Sequence, residues 1–290
     1  MHKVQRVSSL RAAVVAARKD KKTIGFVPTM GNLHEGHLEL VKVAKRQADF
    51  VVVSIFVNPT QFGAHEDLDN YPSTPAEDAR ALAECGADLL FLPAHETMYP
   101  GDIATQTVVY VPEIGDLYCG IDRPEHFYGV TTVVSRLFNM VQPDMAVFGK
   151  KDYQQIAIIR RMVEDLAYPV QVVGVDTVRS EQGLALSSRN GYLNAKQLAI
   201  APKLYENLNL LATNLEQAST DKGVKSKAVL KRLEQQVKEN LKAEGFHPQY
   251  ITVCRQSDLM PAKKGDKKLV VLAAAVLGKS RLIDNLEIEL

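Results

Sequence analysis

Tryptophan is absent from this sequence, cysteine occurs three times in 290 residues, and the two signs of charge nearly cancel, leaving a formal +1. Each scarcity excludes something. Cys85, Cys119 and Cys254 lie far apart with no CxxC pair, so neither a zinc ribbon nor a disulfide framework is indicated. Reduced thiols in a cytoplasmic enzyme fit that pattern. Balanced charge gives no basis for a long nucleic-acid footprint, which needs a strongly basic face. The longest apolar runs, Phe50–Val57 and Leu269–Leu277, are too short to cross a bilayer as helices and read as buried strands. Met1 to Lys22 is charged throughout and holds no signal-peptide core. A composition of 46% hydrophobic and 24% charged residues is that of a soluble globular chain, long enough for one large or two modest domains.

Ser9–Lys19 reads as a short amphipathic helix and Thr23–Val27 as a strand. A turn over Pro28–Gly36 follows, then a helix from His37 with apolar residues at Leu38, Leu40, Val41, Val43 and Ala44. Phe50–Val57 is apolar almost without alternation, the pattern of a parallel strand covered on both faces. Thr74-Pro75-Ala76-Glu77 marks a helix start, with a capping residue, a first-turn proline and an acid. Asp88–Leu92, Val108–Val111, Met145–Phe148 and Val170–Val175 are predicted strands, with a helix over Tyr153–Leu166 joining the last two. No element is predicted from Pro112 to Asp144. Strands alternating with helices predict right-handed βαβ units. Residues 1–176 therefore read as a Rossmann-like, doubly wound parallel-sheet domain.

The rhythm changes over residues 177–290. Two long helices, Asn194–Gln217 and Lys225–Glu244, precede strands at Tyr250–Cys254 and Leu269–Val276 and a short run at Arg281–Asp284. That order predicts a smaller α+β domain. Lys222, Lys225, Lys227, Lys231, Lys238 and Lys242 alternate with acids and apolar positions, the habit of a solvated helix face. Ala218–Gly223 and Lys263–Lys268 read as exposed turns.

Four segments carry candidate chemistry. Pro28-Thr29-Met30-Gly31-Asn32-Leu33-His34-Glu35-Gly36-His37 follows a strand and opens a helix. Helix N-termini offer free N–H groups and partial positive charge, so they bind phosphate. His34 and His37, three apart, share one side of the first turn. Gly36 leaves room for a nucleotide, and Gly31 permits a tight turn. Paired imidazoles suit a site where charge develops on phosphate oxygens. Val57-Asn58-Pro59-Thr60-Gln61-Phe62-Gly63 follows the most apolar strand, and Asn58 and Gln61 offer neutral donors and acceptors for a hydroxy acid. The polar stretch Gly63–Thr74 has the character of a lid that excludes water. Phe148-Gly149-Lys150-Lys151-Asp152-Tyr153-Gln154-Gln155 ends another strand: lysine is a mobile charge for phosphate, Asp152 an acceptor for ribose hydroxyls, and Gln155 a partner facing Gln61. Leu184-Ala185-Leu186-Ser187-Ser188-Arg189-Asn190, flanked by Gly183 and Gly191, has the makings of a phosphate clamp. No GxSxG, Walker lysine loop or Cys–His pairing is present, which suits a reaction whose nucleophile is the substrate itself.

These segments together resemble the pantothenate synthetase (pantoate–β-alanine ligase) family of the HIGH-type nucleotidyltransferase superfamily. The resemblance runs from Gly25 to the Arg281-Leu282-Ile283-Asp284-Asn285 tail. It implies that pantoate attacks the α-phosphorus of MgATP, and that the amine of β-alanine then takes the acyl group from the adenylate. By motif position it assigns Met30, Gly31, Asn32, Leu33, His34, Glu35, Gly36 and His37 to the ATP site, with His37, His34 and Lys151 catalytic. Gly149, Lys150, Lys151, Asp152, Val178, Leu186, Ser187, Ser188 and Arg189 complete the ATP contacts, Val178 at the adenine. Gln61, Gln155 and Asn58 fall to pantoate, and Gln61 also to β-alanine. ATP with magnesium is implied as substrate, with no protein ligand of the metal assigned. A cytoplasmic homodimer through the N-terminal domain, with the C-terminal domain as a lid, is also implied. Lys150, Ser73, Glu125 and Tyr128 depart from the family's usual residues. The rival readings are an adenylyltransferase acting on a phosphorylated acceptor and a non-catalytic nucleotide-binding or RNA-associated module. The neutral Asn58, Gln61 and Gln155 set disfavours the first, and the near-zero net charge the second.

Overall fold

A computed structural model describes residues 1–63, 66–219 and 223–290. Contacts divide the chain into two compact units, residues 1–150 with 155–176, and residues 151–154 with 177–290.

Through residue 176 the order is β1 (His2–Val4), α1 (Val7–Lys19), β2 (Ile24–Thr29), α2 (Glu35–Gln47), β3 (Phe50–Ile55), α3 (Pro75–Glu84), β4 (Leu89–Phe91), the single turns α4 (His95–Met98) and α5 (Cys119–Asp122), α6 (His126–Val141), β5 (Met145–Gly149), α7 (Tyr153–Asp165) and β6 (Gln171–Val175). The six strands form one sheet in the order β1-β4-β3-β2-β5-β6, and every pairing is parallel. This is the doubly wound sheet expected from the alternating elements. After β2 the chain adds β3 and β4 on one side, then returns to lay β5 on the other. The carboxyl ends of β2 and β5 therefore form the topological switch point, where such sheets receive ligands. Val51, Val52 and Val53 are fully buried, as the unbroken apolar run of β3 predicts. One layer of the core packs α2 and α3 on this sheet through Leu40, Val41, Ala44 and Leu82.

Two expectations are corrected here. Val108–Val111 forms no strand. Its backbone partners are threonine side chains instead: Val109 N–H donates to Thr132 Oγ1 at 3.0 Å, and Thr131 Oγ1 donates to Val109 O at 2.5 Å. Those threonines sit on α6, a helix that no expectation included. It is buried along most of its length, from Phe127 to Val141.

In the second unit, α8 (Ala195–Ile200), α9 (Lys203–Ala218) and α10 (Lys227–Ala243) precede β7 (His247–Arg255), β8 (Lys268–Leu277) and β9 (Ser280–Glu289). The strands form an antiparallel sheet with β8 in the middle. Leu204, Leu208, Leu211 and Leu215 recur at helical spacing on α9, and Leu230, Leu233, Val237 and Leu241 on α10. They share one core with alternate residues of β8, Leu269, Val271, Ala273 and Ala275. The long helix expected over Asn194–Gln217 is in fact two, broken at Ala201-Pro202, because proline lacks the N–H that would continue α8. The last strand is also longer than the run expected at Arg281–Asp284. Lys222 and part of the Ala218–Gly223 turn lie outside the described residues. No helix among the described residues is long and apolar enough to cross a membrane.

Candidate active site

The loop from β2 to α2 is held by its own histidines and by one acid from α3. His34 is the N-cap of α2, and its Nδ1 accepts from Gly36 N–H at 3.1 Å. His37 Nδ1 accepts in turn from His34 N–H at 3.3 Å. The pair forms a reciprocal capping box in which imidazoles replace the usual hydroxyl and carboxylate. Their rings lie 4.1 Å apart between centroids, tilted by 36°. An Nδ1 that accepts leaves the ring proton on Nε2. Both histidines are thereby set as Nε2–H donors on the first turn of a helix, the place where anions bind.

Behind them, Asp78 braces the loop. It is 3% exposed, and its oxygens accept from Asn32 N–H at 2.9 Å and Leu33 N–H at 2.8 Å. Thr74 Oγ1 donates to the same carboxylate at 3.0 Å. Thr74 thus stands at the N-cap of α3 as its sequence indicates, but its hydroxyl bonds Asp78 rather than capping the backbone. Gly31 has φ +86, and a Cβ there would lie 3.0 Å from Ile55 and 3.2 Å from Asp78. Asn32 follows with φ 49. Two successive left-handed residues demand an external brace, and Asp78 supplies it. In the sequence Asp78 stands out only as an acid in the first turn of α3.

The segment after β3 is built around Asn58, which is 1% exposed. Its Nδ2 donates to Gln61 Oε1 at 3.1 Å and Gly129 O at 3.1 Å. Its Oδ1 accepts from Tyr99 OH at 2.8 Å and Thr60 Oγ1 at 3.0 Å. All four bonds of the amide are therefore made within the protein. Burial raises the pKa of Tyr99, which keeps its hydroxyl a donor. Gln61 Nε2 lies 3.1 Å from Met30 Sδ, so the second motif meets the first. Gly129 on α6 is indispensable to this approach, because a Cβ there would collide with the Thr60 carbonyl and reach 2.6 Å from Gln61 N.

Beyond Gln61, the expected lid is tied down at Glu66. Arg123 donates to Glu66 Oε1 at 2.6 Å and Oε2 at 2.5 Å, and to Gln61 O at 3.3 Å. His126 Nδ1 lies 2.8 Å from the same Gln61 carbonyl. Burial pushes the Glu66 carboxyl up, but the hydrogen bonds and charge of Arg123 outweigh it and hold Glu66 below the usual carboxylate range. Ala64 and His65 of that lid segment are outside the described residues. At the end of β5, Lys150 Nζ lies 2.9 Å from Asp176. Gln155 is half-buried on the first turn of α7.

In the second unit, Lys151 Nζ lies 3.9 Å from Asp152. Val178 and Leu186–Arg189 belong to a hairpin: Leu186 N–H donates to Val178 O at 2.9 Å, and Ser187 Oγ accepts from Arg189 N–H at 3.3 Å.

Asn58, Gln61 and Met30 are thus brought into one connected set within the first unit, and Met30 lies on the loop that carries the two histidines. Sequence reasoning missed Asp78, Tyr99, Gly129, Arg123 and His126. Only the acid within the first turn of α3 gave any signal, since the rest become informative once α6 is placed.

The model of the pantoate–β-alanine ligase family matches residues 2–287. The chain belongs to the pantoate–β-alanine ligase family. It is 53% identical over its full length to a pantothenate synthetase of Pseudomonas putida, covering 98% of that protein. A pantothenate synthetase of Pseudomonas fluorescens is 51% identical, with 100% of this chain and 99% of that protein covered. Among solved structures, the pantothenate synthetase of Thermus thermophilus superposes with a TM-score of 0.90 at 43% identity, over the whole of both chains. The Francisella tularensis ligase, solved with a β,γ-ATP compound and β-alanine, matches with a TM-score of 0.79 at 33% identity, over 99% of this chain and 97% of that one. The ligase described here thus shares both the fold and the full length of its relatives.

Proposed function

We propose that the paired Nε2–H donors of His34 and His37 stabilise the charge that builds on ATP when pantoate attacks its α-phosphorus. The reaction is the ATP-dependent condensation of (R)-pantoate with β-alanine to pantothenate, AMP and pyrophosphate, through pantoyl-adenylate. In the first step a pantoate carboxylate oxygen bonds to the α-phosphorus, and the bond to the β-phosphate breaks to release pyrophosphate. In the second the β-alanine amine bonds to the acyl carbon, the acyl–oxygen bond breaks, AMP leaves and the amine sheds a proton.

The reciprocal capping of the two imidazoles carries this reading. A donor preset toward developing charge needs no reorganisation during reaction. The family resemblance assigns Met30–His37, Gly149 and Lys150 to ATP in the first unit, and Lys151, Asp152, Val178 and Leu186–Arg189 in the second. Lys151 takes phosphate and Asp152 the ribose. Lys150 keeps a partner in Asp176 and is the weaker of the two lysines. Gln61 and Gln155 hold pantoate, with Gln61 also near β-alanine, while the saturated amide of Asn58 fixes Gln61 in place. Magnesium enters with ATP, held by its phosphates. Asp78, already accepting two backbone N–H groups and a hydroxyl, serves the loop instead. The family resemblance supports a cytoplasmic homodimer formed through the first unit.

Pyrophosphate and AMP release, followed with pantoate and β-alanine added singly and together, tests the reading. Pantoate alone gives about one equivalent of pyrophosphate, and sustained AMP appears only with both substrates. Sustained AMP without any amine contradicts a ligase. Gly129→Ala tests the seating of Gln61. Alanine in a helix ordinarily stabilises by up to ~1 kcal/mol over glycine, but here its methyl pushes Thr60 and Gln61 aside. A displacement of roughly 1 Å costs up to ~10²-fold, so kcat/KM for pantoate falls at least tenfold by about that rule. An unchanged kcat/KM removes Gln61 from its assigned role.

A further inference from the structure

The clamp hairpin and the Lys151 segment lie 26 or more residues apart in sequence, yet one strand holds both. Arg179 at the base of the hairpin donates to both oxygens of Asp284, at 2.7 Å and 2.8 Å. Asp284 is 5% exposed. The guanidinium also stacks 3.4 Å from the Tyr205 ring centroid and donates to Gly183 O at 3.2 Å, inside the turn of the hairpin. Bidentate pairing and stacking fix the arginine in plane as well as in position. The hairpin is then closed by the bridge of Arg179 with Ala185, and Asn190 Nδ2 donates to Ala185 O at 3.0 Å.

The next residue of the same strand does the second task. Asn285, 7% exposed, donates through Nδ2 to the backbone oxygen of Lys151 at 3.0 Å. Two residues on, Glu287 Oε1 accepts from Tyr153 OH at 2.8 Å. Neighbouring side chains on a strand point to opposite faces. Asp284 therefore serves the hairpin from one face of β9, while Asn285 and Glu287 serve Lys151–Tyr153 from the other. β9 pairs on one side with β8 over its whole length, from Ser280 to Glu289, which makes it a stiff frame for both.

We propose that Asp284 and Asn285 are positioning residues for ATP activation: back to back on β9, they register the Lys151–Asp152 segment against the Ser187–Arg189 clamp. The inference rests on the proposed ATP contacts of those two segments. Neither residue is among the proposed substrate contacts. A carboxylate that held Arg179 for folding alone would affect stability, whereas a registering residue also affects how ATP is used.

The test compares the full-length enzyme with Asn285→Ala and Asp284→Asn. It measures pantoate-dependent exchange of pyrophosphate into ATP, KM for ATP and for β-alanine, and thermal unfolding. Asn285→Ala removes the hydrogen bond to the Lys151 backbone oxygen and leaves the Arg179–Asp284 pair in place, so it keeps the fold if Asp284→Asn does not. Expected is a rise of about tenfold in KM for ATP and a similar fall in exchange rate, the size of one lost positioning bond, with KM for β-alanine unchanged at temperatures where the variant is folded. Unchanged ATP kinetics in folded Asn285→Ala overturns the inference, even if its Tm falls. An equal loss toward ATP and β-alanine also overturns it. Absence of pantoate-dependent exchange in the unaltered enzyme overturns the proposed function itself, and this inference with it.

Discussion

His37→Ala is expected to slow pantoyl-adenylate formation by about 10²–10³-fold, the range for loss of one preset donor to developing charge. The side chain has two tasks, and alanine removes both. Its Nδ1 accepts His34 N–H at 3.3 Å, which completes the reciprocal cap. Its Nε2–H is the donor that the proposed mechanism directs at ATP. Loss of the cap costs roughly 0.5–2 kcal/mol of helix stability, too little to unfold a domain with ~5–15 kcal/mol in hand. The variant therefore remains folded with a slow chemical step. Single-turnover pyrophosphate release with pantoate, alongside a thermal melt, separates the two effects. A rate reduced less than threefold withdraws the role from His37.

Asp78→Ala is expected to damage stability and chemistry together. It strips acceptors from Asn32 N–H, Leu33 N–H and the Thr74 hydroxyl at once. A buried donor left unsatisfied costs about 1–3 kcal/mol, so two backbone groups give a loss of roughly 2–6 kcal/mol. In a domain of this size that lowers Tm by several degrees, about 2–4 °C for each kcal/mol. The left-handed geometry at Gly31 and Asn32 then loses its brace, the histidine cap shifts with it, and adenylation slows in the variant that still folds. Asp78→Asn keeps one acceptor and falls in the middle on both measures. A Tm within one degree or so of the unaltered enzyme defeats the brace.

The parallel sheet was legible because β3 is apolar almost without alternation and the histidine motif sits where a strand passes into a helix. The core of the second unit was legible from leucines at helical spacing on α9 and α10. What stayed hidden had physical reasons. α6 carries apolar residues at helical spacing, Phe127, Val130, Val134, Phe138 and Val141, but its run of valines and threonines has the β-branched composition of a strand. It also starts after Glu125 at φ 72 with no side-chain cap. Val108–Val111 looked like a strand because its residues are β-branched or aromatic, yet its hydrogen bonds run to two threonine hydroxyls. Without α6 there was no way to see Gly129, or the ring of partners that saturates Asn58. Asp78 was visible as an acid near a helix start, but the sequence does not reveal that its oxygens face backbone N–H groups. The place of the histidine motif between a strand and a helix was legible. The tautomer that makes them donors needed coordinates.

Transfer of an oxygen atom from pantoate to AMP tests the central claim most directly. Pantoate labelled with ¹⁸O in its carboxylate is incubated with ATP, β-alanine and the enzyme, and the AMP is weighed by mass spectrometry. Attack of that carboxylate at the α-phosphorus predicts one ¹⁸O in each AMP and the other in the amide of pantothenate. Unlabelled AMP alongside labelled pantothenate would contradict an adenylate intermediate and the role given to the paired histidines.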